Sequence, residues 1–162
     1  MTTLTMVAFY LQIFTLNPTL RYLDPEIPYS LNAEMLLLGT AAQETFLGQL
    51  VKEKKRALDL YQMTKETEKD IWKNYMPHHP ELSKKVHFLL HLSDNYYAAA
   101  MVRVYYWRHA QYAFPLRDTQ ITPDFTLDEM AYIWKRYYNT ELGKGTEEEF
   151  VVNYNRLVKE EK

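Results

Sequence analysis

Leu37, Thr40, Ala41 and Glu44 fall at i, i+3, i+4 and i+7, which places them on one face of a helix. That face is small and apolar until Glu44 ends it. A carboxyl group on such a face loses hydration, which favours its neutral form and raises its pKa. A glutamic acid held protonated near neutral pH is what a glycosidase needs as its general acid. The plain alternative is an exposed Glu44, or one paired with a lysine such as Lys52. A second carboxylate, Asp59, lies downstream in Ala57-Leu58-Asp59-Leu60-Tyr61-Gln62-Met63. If water completes a glycosidic cleavage, Asp59 is the candidate base, and its distance from Glu44 sets the geometry.

Other polar and aromatic residues have structural accounts beside chemical ones. His87 and His91 stand at i, i+4 and could share a metal with Asp94. No Glu follows the first His as in a zincin helix, and two ordinary helix residues explain the pair, so no metal ligand is assigned. His78-His79, in a proline-bounded turn, reads as solvent-exposed. Tyr96, Tyr97, Tyr105, Tyr106 and Trp107 are too dense for one helix face. Part of this run must be core, and the rest can offer aromatic platforms suited to sugar rings. Arg103 and Arg108 read as exposed ion-pair residues, or as contacts to a carboxylate on a peptide stem. Residues 52–56 read as a solvated charged loop that could also meet an anionic polymer. Walker, Rossmann, Gly-x-Ser-x-Gly and zinc-knuckle patterns are missing from the sequence.

The order Glu44-Thr45, a loop opening at Gly48, then Leu58-Asp59-Leu60-Tyr61-Gln62-Met63 resembles the lysozyme-like family of lytic transglycosylases and goose-type lysozymes. That family carries a helix ending in Glu-Ser, then a Gly-Leu-x-Gln segment. The stretch Leu38-Gly39-Thr40-Ala41-Ala42-Gln43-Glu44 is similar to phage-borne proteins of this type. So is Trp134-Lys135-Arg136-Tyr137-Tyr138-Asn139-Thr140, followed by Gly143-Lys144-Gly145-Thr146 and Glu149-Phe150. The resemblance spans residues 30–154, and its diagnostic part is 44–63. It implies a muramidase or lytic transglycosylase acting on the β-1,4 bond of peptidoglycan, with Glu44 as general acid and no cofactor. Thr45 stands where Ser is usual, Tyr61 and Gln62 would orient the sugar, and Tyr96 and Tyr97 would form the opposite wall. The implied partners are glycan strands and other virion proteins, and the implied location is a virion or the host periplasm. Two departures stand out. Asp59 occupies a position where the family prefers Gly. The family's Ala-Tyr-Asn-Ala-Gly motif is absent, its nearest counterpart being Asn95-Tyr96-Tyr97-Ala98-Ala99-Ala100. A catalytically silent relative, acting as a structural or wall-binding virion component, is therefore the second reading.

These residues need a scaffold, and composition bounds it. A chain of 162 residues, 47% hydrophobic, suits one domain over 1–162 with a real core. The net charge of -2 provides no basic field for nucleic acid. With no cysteine, disulfides, thiolate metal sites and thiol nucleophiles are excluded. No segment reaches the roughly 18 apolar residues of a membrane span. The apolar run at 6–16 lacks a basic flank and a small-x-small cleavage site, so it reads as a packed helix and not a signal peptide.

Only 4 Gly and 7 Pro point to long helices with few turns. Helices are expected over 3–16, 31–47, 64–75, 81–92, 94–109, 126–138 and 146–158. Pro18, Pro25 and Pro28 would hold an irregular link. Ser30 and Thr64 are candidate caps, and Thr126 and Thr146 have capping-box spacing to Glu129 and Glu149. Residues 48–60 read as a charged loop leading to a buried turn or short strand, and 115–123 as loop. The expected architecture is mainly α, with the alanine-rich 94–109 helix buried at its centre and a lysozyme-like arrangement implied by the resemblance.

Overall fold

The computed structural model describes residues 2–51, 56–110, 126–140 and 142–159. Every regular element among them is helical. Helix α1 (Thr3–Leu11) opens under Thr2, whose hydroxyl accepts the Thr5 N–H. A π-turn over Gln12–Leu16 leads straight into α2 (Asn17–Leu23). The irregular link expected at Pro18 therefore starts only after Leu23. Pro18 lies in the first turn of α2, where a missing N–H is tolerated, and the π-turn widens the helix just ahead of its ring.

The π-turn has a visible cause. Glu34 is buried, and its carboxylate is held by neutral donors from both ends of that turn. Gln12 Nε2 donates to Oε1 at 2.9 Å, and Asn17 Nδ2 donates to Oε2 at 3.1 Å. Residues five apart diverge on an α-helix but align across a wider π-turn. Tyr29 completes the set, its hydroxyl donating to Oε2 at 2.9 Å. Burial, with the neighbouring carboxylate, pushes the Tyr29 hydroxyl up to about 12.

Helix α3 (Leu31–Thr45) begins under Ser30, whose side chain accepts the Ala33 N–H. It ends two residues short of the expected Leu47, because Phe46 and Leu47 turn left-handed, at φ 48° and 55°, followed by Gly48 at 91°. Ala57–Tyr61 forms a 3₁₀ turn with Leu58 and Tyr61 buried, so the expected turn and not a strand occupies this place. Thr64 caps α4 (Lys65–Asp70), which continues as a π-turn to Tyr75. Helices α5 (Pro80–Leu92) and α6 (Asp94–Ala110) follow. Beyond them come α7 (Leu127–Ile133) and α8 (Glu147–Tyr154), each entered through the expected capping box and each ending in a π-turn. Residues 52–55 and the 115–123 loop lie outside the described residues.

The expected central helix is present. Residues 97–104 of α6 are all buried, together with Tyr106 and Ala110. Ala98, Ala99 and Ala100 let α2, α3, α5 and the 3₁₀ turn approach closely. On the far side of α3, Gly39 receives α8. A Cβ at Gly39 would stand 2.5 Å from Phe150 Cζ, so this helix pair packs only with glycine there. Helix α1 packs on one face only. Thr5 and Ala8 are buried, as is Leu16 in the π-turn, whereas Met6, Phe9 and Tyr10, with Ile13 and Phe14 of the π-turn, are exposed, so the helix expected here packs through one side and leaves the other uncovered. No helix among the described residues is long and apolar enough to cross a membrane.

Tyr29→Phe removes one of the three donors to a buried carboxylate without changing ring volume. Urea denaturation should show a loss of about 1.5–3 kcal/mol, the usual worth of a hydrogen bond to a charged group. An unchanged midpoint would mean that Glu34 does not need this donor.

Candidate functional site

Helix α3 carries Glu44 out of the core on its last turn. The residue is half-buried, and Trp134 Nε1 donates to its Oε1 at 2.9 Å. Oε2 has no hydrogen-bond partner among the described residues. Burial raises the Glu44 pKa above the usual carboxylate value, and the indole bond only partly offsets this. The wall behind it is tyrosine-rich. Tyr106 and Tyr138 stack at 5.3 Å and 22°. The Tyr106 hydroxyl pairs with Thr40 Oγ1 at 2.8 Å, and the Tyr138 hydroxyl donates to Tyr61 O at 2.7 Å. Both phenols are pushed up, by burial first and by the nearby Glu44 charge in addition.

Trp134 is the partner of Glu44 that spacing could not reveal. It begins the π-turn after α7 and is buried against Phe150, with ring centroids 5.3 Å apart. Gly145 lets the backbone pass over the indole, since a Cβ there would lie 2.7 Å from its ring. Lys135 ties the same turn by donating to Asn139 Oδ1, Gly143 O and Gly145 O at 2.7–2.9 Å. Trp134 and the two glycines stand in the run that resembles phage-borne proteins, but nothing local to residue 134 indicates that its indole meets Glu44.

Gln43 and Phe46, neighbours of Glu44 in sequence, line an open groove of about 510 Å³ with Leu50, Glu148, Glu149, Val152 and Asn153, and Glu44 itself is not among its lining residues. Asn153 Nδ2 donates to Gln43 Oε1 at 2.7 Å and bridges α8 to α3 across it. The groove of about 710 Å³ lies elsewhere, and Glu44 is not among its lining residues.

The other expected site residues separate into distinct places. Thr45 is buried, and its hydroxyl donates to Leu60 O at 2.8 Å and accepts the Gly48 N–H at 2.9 Å. It binds the 3₁₀ turn to α3 and offers no surface to a substrate. Tyr61 is buried too, with an unpaired hydroxyl raised by burial. Gln62 is exposed at φ 53°, and its Nε2 donates to Asp59 O at 2.7 Å. Asp59 is occupied. Its Oδ2 accepts the Arg56 N–H at 3.0 Å, and its Oδ1 lies 3.5 Å from Arg56 Nε. Tyr97 is buried, donating to Glu68 Oε1 at 2.7 Å and accepting from Trp72 Nε1 at 2.9 Å. Tyr96 lines a small apolar cleft with Pro18, Tyr22, Phe88 and Leu92 that does not include Glu44. A wall built from both Tyr96 and Tyr97 opposite Glu44 is therefore not what these side chains form.

The arginines and histidines also resolve. Arg103 is fully buried, donates to Pro28 O at 3.2 Å and has its Nη1 unpaired. Desolvation brings its pKa down to about 9. It is neither an exposed ion-pair residue nor a reachable substrate contact. Arg108 is paired with Asp70 at 2.5 Å. His87 and His91 bring their Nε2 atoms to 3.1 Å on the surface of α5, and Asp94 does not join them. Among the described residues, no three His, Asp or Glu side chains gather as metal ligands.

Because the folded pKa of Glu44 is raised, its contribution to stability is full below the unfolded value of about 4.3 and is lost as pH rises through the folded value. Glu44→Gln abolishes that loss. Melting curves should show the variant gaining on the parent protein as pH goes from about 4 to neutrality, with the difference shrinking again in acid. A difference independent of pH would remove the desolvation argument. Comparison of the chain with protein-family models, with curated proteins and with solved structures finds no match.

Proposed function

We propose that this chain cleaves the β-1,4 glycosidic bond of peptidoglycan with Glu44 as general acid. One observation carries the proposal: Glu44 is a half-buried carboxyl whose burial raises its pKa, with one oxygen held by Trp134 and the other without a hydrogen-bond partner among the described residues. Glu34 makes the contrast, because its carboxylate is saturated by three donors and is sealed in the core. Glu44 combines a raised pKa with an oxygen that has no hydrogen-bond partner among the described residues.

In the proposed step, Oε2 delivers its proton to the bridging oxygen as the C–O bond breaks, and Oε1 stays on the indole N–H. The positive centre left on the sugar is captured by the substrate's own acetamido oxygen or 6-hydroxyl. Capture by the 6-hydroxyl returns its proton to the Glu44 carboxylate and leaves an anhydro end. Neither route needs a second carboxylate, which suits an Asp59 already engaged with Arg56. A virion or the host periplasm is where such a chain would meet its polymer, beside other virion proteins.

Incubation with purified sacculi, followed by mass spectrometry, tests this directly. Anhydro ends identify a transglycosylase and reducing ends a hydrolase. No released product would leave the silent, wall-binding relative as the better account. Glu44→Gln should lower product formation by about two to four orders of magnitude, the usual yield of general acid catalysis.

Gln62→Gly provides a second test. Its left-handed backbone is one that glycine adopts without the strain of about 1–2 kcal/mol that a side chain meets. Stability should hold or rise. If the amide orients the sugar, kcat/KM on glycan strands should fall at the same time. Undiminished turnover would confine Gln62 to capping the 3₁₀ turn.

A further inference from the structure

On α4 and the π-turn extending it, away from Glu44, an open groove of about 710 Å³ is lined by Arg56, Lys65, Glu68, Lys69, Trp72 and Lys73. Lys65, Lys69 and Lys73 recur every four residues, and all three line the groove. All three are exposed and have no ion pair among the described residues. The groove's other charges cancel, since Arg56 Nη1 donates to Glu68 Oε2 at 2.8 Å. The Trp72 ring is held in place. Its Nε1 donates to the Tyr97 hydroxyl at 2.9 Å, and that hydroxyl donates to Glu68 Oε1 at 2.7 Å. A fixed aromatic wall thus sits among three free cations, on a chain whose net charge is -2.

We propose that this groove binds a strand of carboxylate-bearing polysaccharide. The indole presents an apolar surface to the C–H face of a pyranose ring. The lysines supply point charges for carboxylates spaced along the strand, which a row of ammonium groups on flexible stems can follow. Glu68 favours a glycan over a nucleic acid. Its carboxylate, neutralised by Arg56, can still accept from sugar hydroxyls, and a chain of net charge -2 provides no basic field for a dense phosphate backbone. The groove does not include Glu44, so binding here does not depend on the reaction proposed there.

The test uses the full chain and an oligouronate, with a neutral chitin oligomer and an oligo-dT of equal length, by calorimetry at low and moderate salt. The oligouronate should bind more tightly than either and weaken as salt rises. Lys69→Gln with Lys73→Gln should weaken it about tenfold, as expected for two exposed charge contacts. Trp72→Leu should weaken it further without changing the salt dependence. Circular dichroism serves as the folding check, which the exposed lysines should pass. No uronate binding, or binding indifferent to the double lysine substitution, overturns the proposal. Tighter binding of oligo-dT overturns it in favour of single-stranded nucleic acid.

Discussion

A helix buried along most of its length carries its polar groups at a cost unless they find partners. Helix α6 lives under that constraint, and most of the architecture follows from how it is met. Its alanines remove bulk at residues 98–100, and its longer side chains reach outward to fixed positions. Tyr97 ties to Trp72 and Glu68, Tyr106 to Thr40, Tyr105 to Tyr137 O, and Arg103 to Pro28 O. Each bond fixes a different neighbour. Thr40 lies one helical turn before Glu44 on α3, and Tyr137 lies in the π-turn that starts at Trp134. The two groups that meet at the candidate site are thus both referenced to the same central rod.

Two carboxyl groups buried in one helix have opposite fates because of their partners. Glu34 sits in the first turn of α3 and receives three neutral donors, so the site acts as a polar knot between α1, α2 and α3. Glu44 sits in the last turn and receives one donor. Burial without saturation is unfavourable to the charged form, and that imbalance raises the Glu44 pKa. Trp134 holds one oxygen in place without satisfying the other.

The helices other than α2 and the four threonine or serine caps were legible in the sequence, because capping and 3.6-residue periodicity act locally. Glu44 was legible for the same reason, since its face is set within one helix. Its partner was not. Trp134 reaches it from ninety residues away, and no spacing rule links those positions. Thr45, Tyr61, Asp59 and Tyr97 show the opposite difficulty. Their types suit a saccharide cleft, but a hydroxyl or carboxylate serves an internal bond equally well: the Thr45 and Tyr97 hydroxyls, the Asp59 carboxylate and the Tyr61 carbonyl are all used that way, and the Tyr61 hydroxyl is left unpaired. Arg103 misled because an arginine in a buried helix is rare without an acidic partner. Pro18 misled because the turn ahead of it is wider than an α-helix.

That wider turn recurs at Ile71–Tyr75, Trp134–Asn139 and Asn155–Lys159. Each amounts to one residue more than an α-helix would need, and at Gln12–Leu16, where α2 follows directly, the extra residue rotates that helix by about 100°. Chain length at these points therefore sets angular phase and not reach. A relative one residue shorter between Gln12 and Asn17 would keep an unbroken helix and yet swing Asn17 off Glu34. In this protein, a change of a single residue in length would alter which faces meet without altering how many helices there are.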